Sequence, residues 1–251
     1  MKAIRGVGVL AACALLAACG GEGSSGSSSP QTTPTGTTTS TPPASQLATA
    51  RSYDALHAWT NLHSTTRDWT VTGVASDAKT YELMLSVAPG GSAVFPVSGV
   101  TATLSVFRNV IKEGATLVQD LTNERFLDAQ YRPLGSRLTS DAAPTTCSKT
   151  EVIAALPLAG APAGTSGPMY AATTLADCSA GAATLGTSYN TWSLLDEGGV
   201  VYFCVTASNR FIGEASEQVS ETCIQTDSVG VLGAKARIRL VRPGFSLTAS
   251  N

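Results

Sequence analysis

Along the body of the chain, apolar and polar residues alternate with a period of two. Trp69, Val71 and Gly73 alternate with Thr70, Thr72 and Val74. Tyr81, Leu83, Leu85 and Val87 then alternate with Thr80, Glu82, Met84 and Ser86. This period sends successive side chains to opposite faces of a strand. Ser76-Asp77-Ala78-Lys79 lies between the two runs and has turn composition, so a β-hairpin is predicted. Val100 to Val110 reads as another strand, entered through Ser98-Gly99. Lys112-Glu113-Gly114 turns the chain into residues 115–121, and residues 125–130 add a further strand. After the turn Tyr131–Gly135, a loop over residues 140–146 divides the body into halves, 46–140 and 141–251. The second half predicts strands near 151–156, 169–176, 187–195, 200–208, 217–226 and 234–242. Asp196-Glu197-Gly198-Gly199 is a hairpin turn.

One segment breaks the alternation. Leu56, Trp59 and Leu62 recur at helical spacing behind Ser52, which reads as an N-cap. A helix is predicted over 53–62. Short strands separated by turns imply an all-β, antiparallel body, either a sandwich or an open barrel of hairpins, with this one helix at its start.

The N-terminus carries an address. Lys2 and Arg5 precede Gly6–Ala18, a run without charge. A basic head and a short apolar run make a secretory signal. The run falls short of the ~20 apolar residues that span a bilayer. It ends in Leu16-Ala17-Ala18-Cys19, which resembles the lipobox of bacterial lipoproteins. That resemblance implies removal of residues 1–18, a diacylglyceryl thioether on Cys19 and acylation of the new amino terminus. Two or three acyl chains anchor a protein stably, whereas one does so only marginally. Gly20, where Asp would retain a lipoprotein in the inner membrane of many Gram-negative bacteria, implies the outer membrane. From Gly20 to Ser45 every residue is Gly, Ser, Thr or Pro except Glu22, Gln31 and Ala44. Such a segment has little apolar surface to offset the entropy of ordering it, so residues 19–45 are expected to be a disordered tether. Its Ser/Thr/Pro content also suits O-glycosylation.

Charge and cysteine content narrow the picture. Removing residues 1–18 takes away Lys2 and Arg5 and leaves 14 basic against 18 acidic side chains, a balance of −4. That gives no footprint for nucleic acid. Cys13 leaves with the signal and Cys19 carries lipid, so Cys147, Cys178, Cys204 and Cys223 remain. An even number in an exported chain reads as disulfides. Setting Cys204 opposite Cys223 puts Phe203 across from Ile224 and Val205 across from Thr222. The more apolar face then points inward, as register demands. Cys147 is left to pair with Cys178.

Candidate chemistry is sparse. Ser76-x-x-Lys79 matches the nucleophile motif of penicillin-binding proteins, where both residues share a helical turn. Here it falls in a hairpin turn, with no companion motif, and reads as polar turn residues. Asp54, His57 and His63 are the compact metal-like group, yet no His-Glu-x-x-His pattern accompanies them. They read more naturally as capping and surface residues, so neither a catalytic nor a metal site is assigned. Lys235, Arg237 and Arg239 alternate with Ala236, Ile238 and Leu240 and form a cationic row. That row suits an anionic ligand, or cross-strand pairing with Glu217 and Glu221. Trp59, Trp69 and Trp192 suit sugar stacking, but core is the stronger reading for each; Trp69 alternates with Val71, while Trp192 shares parity with both Leu194 and Asn190. No cofactor motif is present and none is expected.

As a whole the chain resembles the β-rich lipoproteins of Gram-negative envelopes. That loose resemblance implies a lipid-anchored envelope protein that binds a protein, glycan or lipid partner without catalysis. The alternatives are a lipid-anchored periplasmic hydrolase, with Asp54, His57 and His63 its first candidates, and a passive structural lipoprotein.

Overall fold

The computed structural model describes residues 51–251. Residues 1–50, with the expected signal, Cys19 and the expected tether, lie outside the described residues. Behind β1 (Ser52–Tyr53) and α1 (Ala55–Ser64), the chain forms β2 (Arg67–Val74), β3 (Thr80–Val94), β4 (Thr101–Glu113), β5 (Thr116–Leu127), β6 (Pro133–Ser140) and β7 (Ala143–Ile153). The short β8 (Ala161–Pro162) is followed by β9 (Ser166–Leu175), β10 (Thr184–Glu197), β11 (Val200–Phe211), β12 (Gln218–Thr226), β13 (Leu232–Arg242) and β14 (Phe245–Ser250).

Among the described residues the body is all-β and antiparallel with one short helix, and its sheet closes on itself. The barrel runs β10-β11-β12-β13-β14-β2-β3-β4-β5-β6-β7-β9, while β1 pairs separately with β8. Closure removes the free strand edges that an open sheet would expose. The two sequence halves therefore build one sheet. Residues 140–146, expected as a loop, are the tight turn from β6 to β7 and the start of β7.

Several local expectations are met residue by residue. Cys204 lies opposite Cys223, Phe203 opposite Ile224 and Val205 opposite Thr222. Cys204–Cys223 and Cys147–Cys178 are both disulfides. Gly198 and Gly199, both at positive φ, make the two-residue turn between β10 and β11, and Asp196 Oδ1 accepts the Gly199 N–H at 2.9 Å. In the Ser76–Lys79 turn, Lys79 pairs with Glu113 at 2.9 Å and Ser76 Oγ accepts the Ser246 N–H at 3.0 Å.

The helix differs in detail. It starts later than expected, and its cap is Asp54 rather than Ser52. Asp54 Oδ1 accepts the His57 N–H at 2.8 Å, satisfying one of the donors that a helix start leaves free. Ala55, Ala58, Trp59, Leu62 and His63 form its buried stripe. That stripe packs against β3, β4, β11 and β13, so α1 seats in one end of the barrel. The loop between β12 and β13 fastens it there. Asp54 N donates to Ser228 O at 3.1 Å, and the positive φ of Gly230 brings that loop against the helix start.

The seam that closes the ring lies between β14 and β2, which meet at Ser250–Thr72 and at the bridge Ala75–Leu247. A Cβ on Gly73 would stand 2.0 Å from the Thr248 carbonyl oxygen, so glycine is what lets these two strands approach.

Candidate ligand-binding lumen

Strand register divides the residues into an inner and an outer wall. The outer wall carries cross-strand ion pairs: Arg108–Asp120 at 2.6 Å, Lys112–Glu82 at 3.8 Å, Arg137–Glu124, and Arg237 with Glu197 and with Glu221, the last at 2.9 Å. Exposed pairs add little stability. They do mark this wall as a solvated one, unlike the apolar band about 25 Å tall on a lipid-facing barrel.

The inner wall encloses a cavity of about 780 Å³. Its closed end is the helix: Leu62 lines the floor, and Trp59 and His63 lie buried behind it. The opposite end is framed by the β2–β3, β4–β5, β6–β7 and β13–β14 hairpins and by the β9–β10 and β11–β12 loops. The lining has two characters. On the side of β3, β11 and β13 it is apolar, with Leu83, Leu85, Val205 and Ile238 facing in. Across from it, β5 to β10 present Asn123, Ser136, Ser148, Thr174, Ser188 and Asn190.

The polar side is partly self-satisfied. Ser136 and Ser148 hydroxyls lie 2.8 Å apart, and Asn190 Nδ2 donates to Ser188 Oγ at 3.0 Å. Asn123 Oδ1, Thr150 Oγ1 and the fully buried Ser105 Oγ have no partner among the described residues. Register aims all three inward, with Ser105 opposite Arg125, Asn123 opposite Phe107 and Thr150 opposite Ala172. An unmade hydrogen bond at a buried polar atom costs ~1–3 kcal/mol. Of the three, Asn123 lines the cavity, where its Oδ1 favours a ligand that can donate to it. Arg125 faces the same space, with its guanidinium 4.5 Å from the Phe107 ring centre.

The residues singled out from the sequence lie elsewhere. Asp54 caps the helix, the exposed His57 ring contacts the Val229 carbonyl, and His63 is 1% exposed between Trp59 and Phe107. These three do not converge, and no cluster able to hold a metal occurs among the described residues. Trp59, Trp69 and Trp192 are all core. Trp59 Nε1 donates to the Tyr131 carbonyl at 2.9 Å and Trp69 Nε1 to that of Gly233 at 3.0 Å. Lys235, Arg237 and Arg239 are on the outer wall, where Glu197 and Glu221 hold Arg237 and the other two stay exposed. Glu221 is one of the two pairing partners expected from the sequence. The lumen escaped sequence reading because its polar half resembles a surface. Gln119, Asn123 and Arg125 fall in one inward register on β5, and that shared parity is the signal it leaves.

Comparison with family models, curated proteins and solved structures gives no match.

Proposed function

We propose that the chain is a lipid-anchored, non-enzymatic envelope protein whose barrel lumen binds a small amphipathic molecule. The lumen itself carries this reading: about 780 Å³ enclosed by one apolar and one hydrogen-bonding wall. Ligand sites commonly measure ~300–1,000 Å³ and combine apolar lining with a few placed polar groups. The anchor is supported by the lipobox at Leu16–Cys19, and an outer-membrane address by Gly20. The described body begins at Arg51, beside β1 and α1 at the closed end. On this reading the open end points away from the anchoring membrane.

Two measurements test it. Palmitate fed to a bacterial host expressing the chain should label it, and Cys19→Ser should abolish the label; label surviving in that variant would refute the anchor. For the lumen, the exported chain with Cys19→Ser should enhance the fluorescence of the uncharged dye N-phenyl-1-naphthylamine. Ala172→Trp together with Ala207→Trp places two indoles in the cavity and should weaken the dye at least about tenfold, ~1.4 kcal/mol. Undiminished dye binding in the filled variant would place the dye elsewhere and sink the lumen reading.

A further inference from the structure

We infer that the lumen's ligand is an anion: an amphiphile whose carboxylate, sulfonate or phosphate group sits against Arg125. This rests on the lumen binding proposed above and adds the ligand's charge and orientation.

Arg125 stands on the inner face of β5, opposite Ser105 on β4 and Ser136 on β6. Its inward neighbours along β5 are Asn123 and Leu127. None of these four is acidic. The contrast with the outer wall is direct. Arg108, Arg137 and Arg237 each meet a carboxylate, whereas Arg125 meets none among the described residues. A guanidinium is always charged and carries five donors in a planar fork. Held in a partly desolvated cavity without a carboxylate, it favours an incoming anion that can take two of those donors.

Placement gives the orientation. Arg125 belongs to the floor, over Phe107 and close enough to the buried His63 for its charge to act there. Ser136 and Asn123, its neighbours on the polar side, both line the cavity. The anionic group therefore enters first and stops at the floor. The rest of the ligand extends toward the open end, with its apolar face on Leu83, Leu85 and Ile238 and its hydrogen-bonding face on Ser188 and Asn190. At the open end Arg242 stacks on Phe245 at 4.7 Å, a second cation on the entry path.

Two dyes that share one aromatic skeleton isolate the charge. 8-Anilino-1-naphthalenesulfonate carries a sulfonate, and N-phenyl-1-naphthylamine carries none. Both are titrated against the exported Cys19→Ser chain and against the same chain with Arg125→Met or Arg125→Lys. Methionine keeps an unbranched apolar side chain beside Phe107 and deletes the charge. The expected result is a loss of tenfold or more in sulfonate affinity for Arg125→Met, a smaller loss for Arg125→Lys, and in each variant a sulfonate loss several times greater than the change in neutral-dye affinity. Equal sulfonate affinity in parent and Arg125→Met would overturn the assignment while leaving lumen binding intact. An equal loss of both dyes would overturn it too, since Arg125 would then be shaping the lumen. If the parent binds neither dye, the lumen reading fails and the anion assignment fails with it.

Discussion

Replacing Trp59 with alanine is expected to lower the unfolding free energy by about 3–5 kcal/mol, the range for a large aromatic removed from a packed core. The indole is fully buried on the helix stripe that fills the barrel's closed end. Its removal leaves a void that the surrounding strands cannot close, because each is held in register by two neighbours in a closed ring. It also strands the Tyr131 carbonyl, which accepts from the indole at 2.9 Å. Tyr131 sits at φ 59 in a loop that Asp128 organises by accepting from the N–H groups of Gln130 and Arg132. Urea unfolding gives the total. Hydrogen exchange in residues 128–132 should rise in the variant, because that loop loses its contact with the helix. Trp59→Phe separates the two contributions, retaining most of the packing and losing the hydrogen bond, worth about 1 kcal/mol. A loss below about 1 kcal/mol for Trp59→Ala would mean that the helix rests on the barrel rather than plugging it.

Such a plug was half legible. Leu56, Trp59 and Leu62 gave away a helix, yet the true buried stripe runs through Ala58, Trp59, Leu62 and His63, one step around the helix from Leu56. Histidine and small alanines carry little hydropathic signal, so the buried face was misplaced. Strand parity was far more readable. The Cys204–Cys223 register follows from the rule that a one-residue slip would turn every core side chain outward. Closure was not readable. It depends on pairing β14 with β2, about 170 residues away, and on β7 meeting β9 across β8. β14 itself was missed. Its inner residues Phe245, Leu247 and Ala249 alternate properly, but only for six residues behind Arg242-Pro243-Gly244. The end of β3 was hidden by Pro89-Gly90-Gly91, which bulges the strand without ending it.

The site was less legible than the fold for a related reason. Sequence patterning assumes that the apolar face is the inner one. In β5 the inner register holds Gln119, Leu121, Asn123, Arg125 and Leu127, three polar residues among five. An inner wall built to be wet by a ligand breaks the alternation that reveals a core. The exposed-looking row at Lys235, Arg237 and Arg239 obeyed the pattern, and it is outer wall. Charge that satisfies the pattern stands in solvent. Charge that violates it, as Arg125 does, stands where a partner is needed.

Acid should weaken the fold through His63, and His63→Phe should remove that sensitivity. The ring is 1% exposed, edge-on to Trp59 at 4.1 Å and to Phe107 at 5.2 Å, and neither nitrogen has a hydrogen-bond partner among the described residues. Burial, and after it the charge of Arg125, hold its pKa well below the ordinary 6.5. The sign follows from linkage. Above pH 6.5 neither the native nor the unfolded chain protonates this ring, and stability is at its full value. Below pH 6.5 the unfolded chain takes up the proton and the native chain does not, so stability falls by up to about 1.4 kcal/mol per pH unit. The fall stops once the pH is below the native pKa. Carboxylates held low by partners, such as Asp120 and Asp128, titrate in a more acidic range. Over pH 7.5 to 5, the difference between the native sequence and His63→Phe therefore reports on His63. Urea unfolding at both pH values should give a steeper loss for the native sequence than for His63→Phe. Arg125→Met should show a loss in between, because it removes the smaller of the two causes and leaves burial in place. The same slope in all three proteins would show that His63 takes up its proton without leaving its place, and that the closed end is wetter than its packing implies.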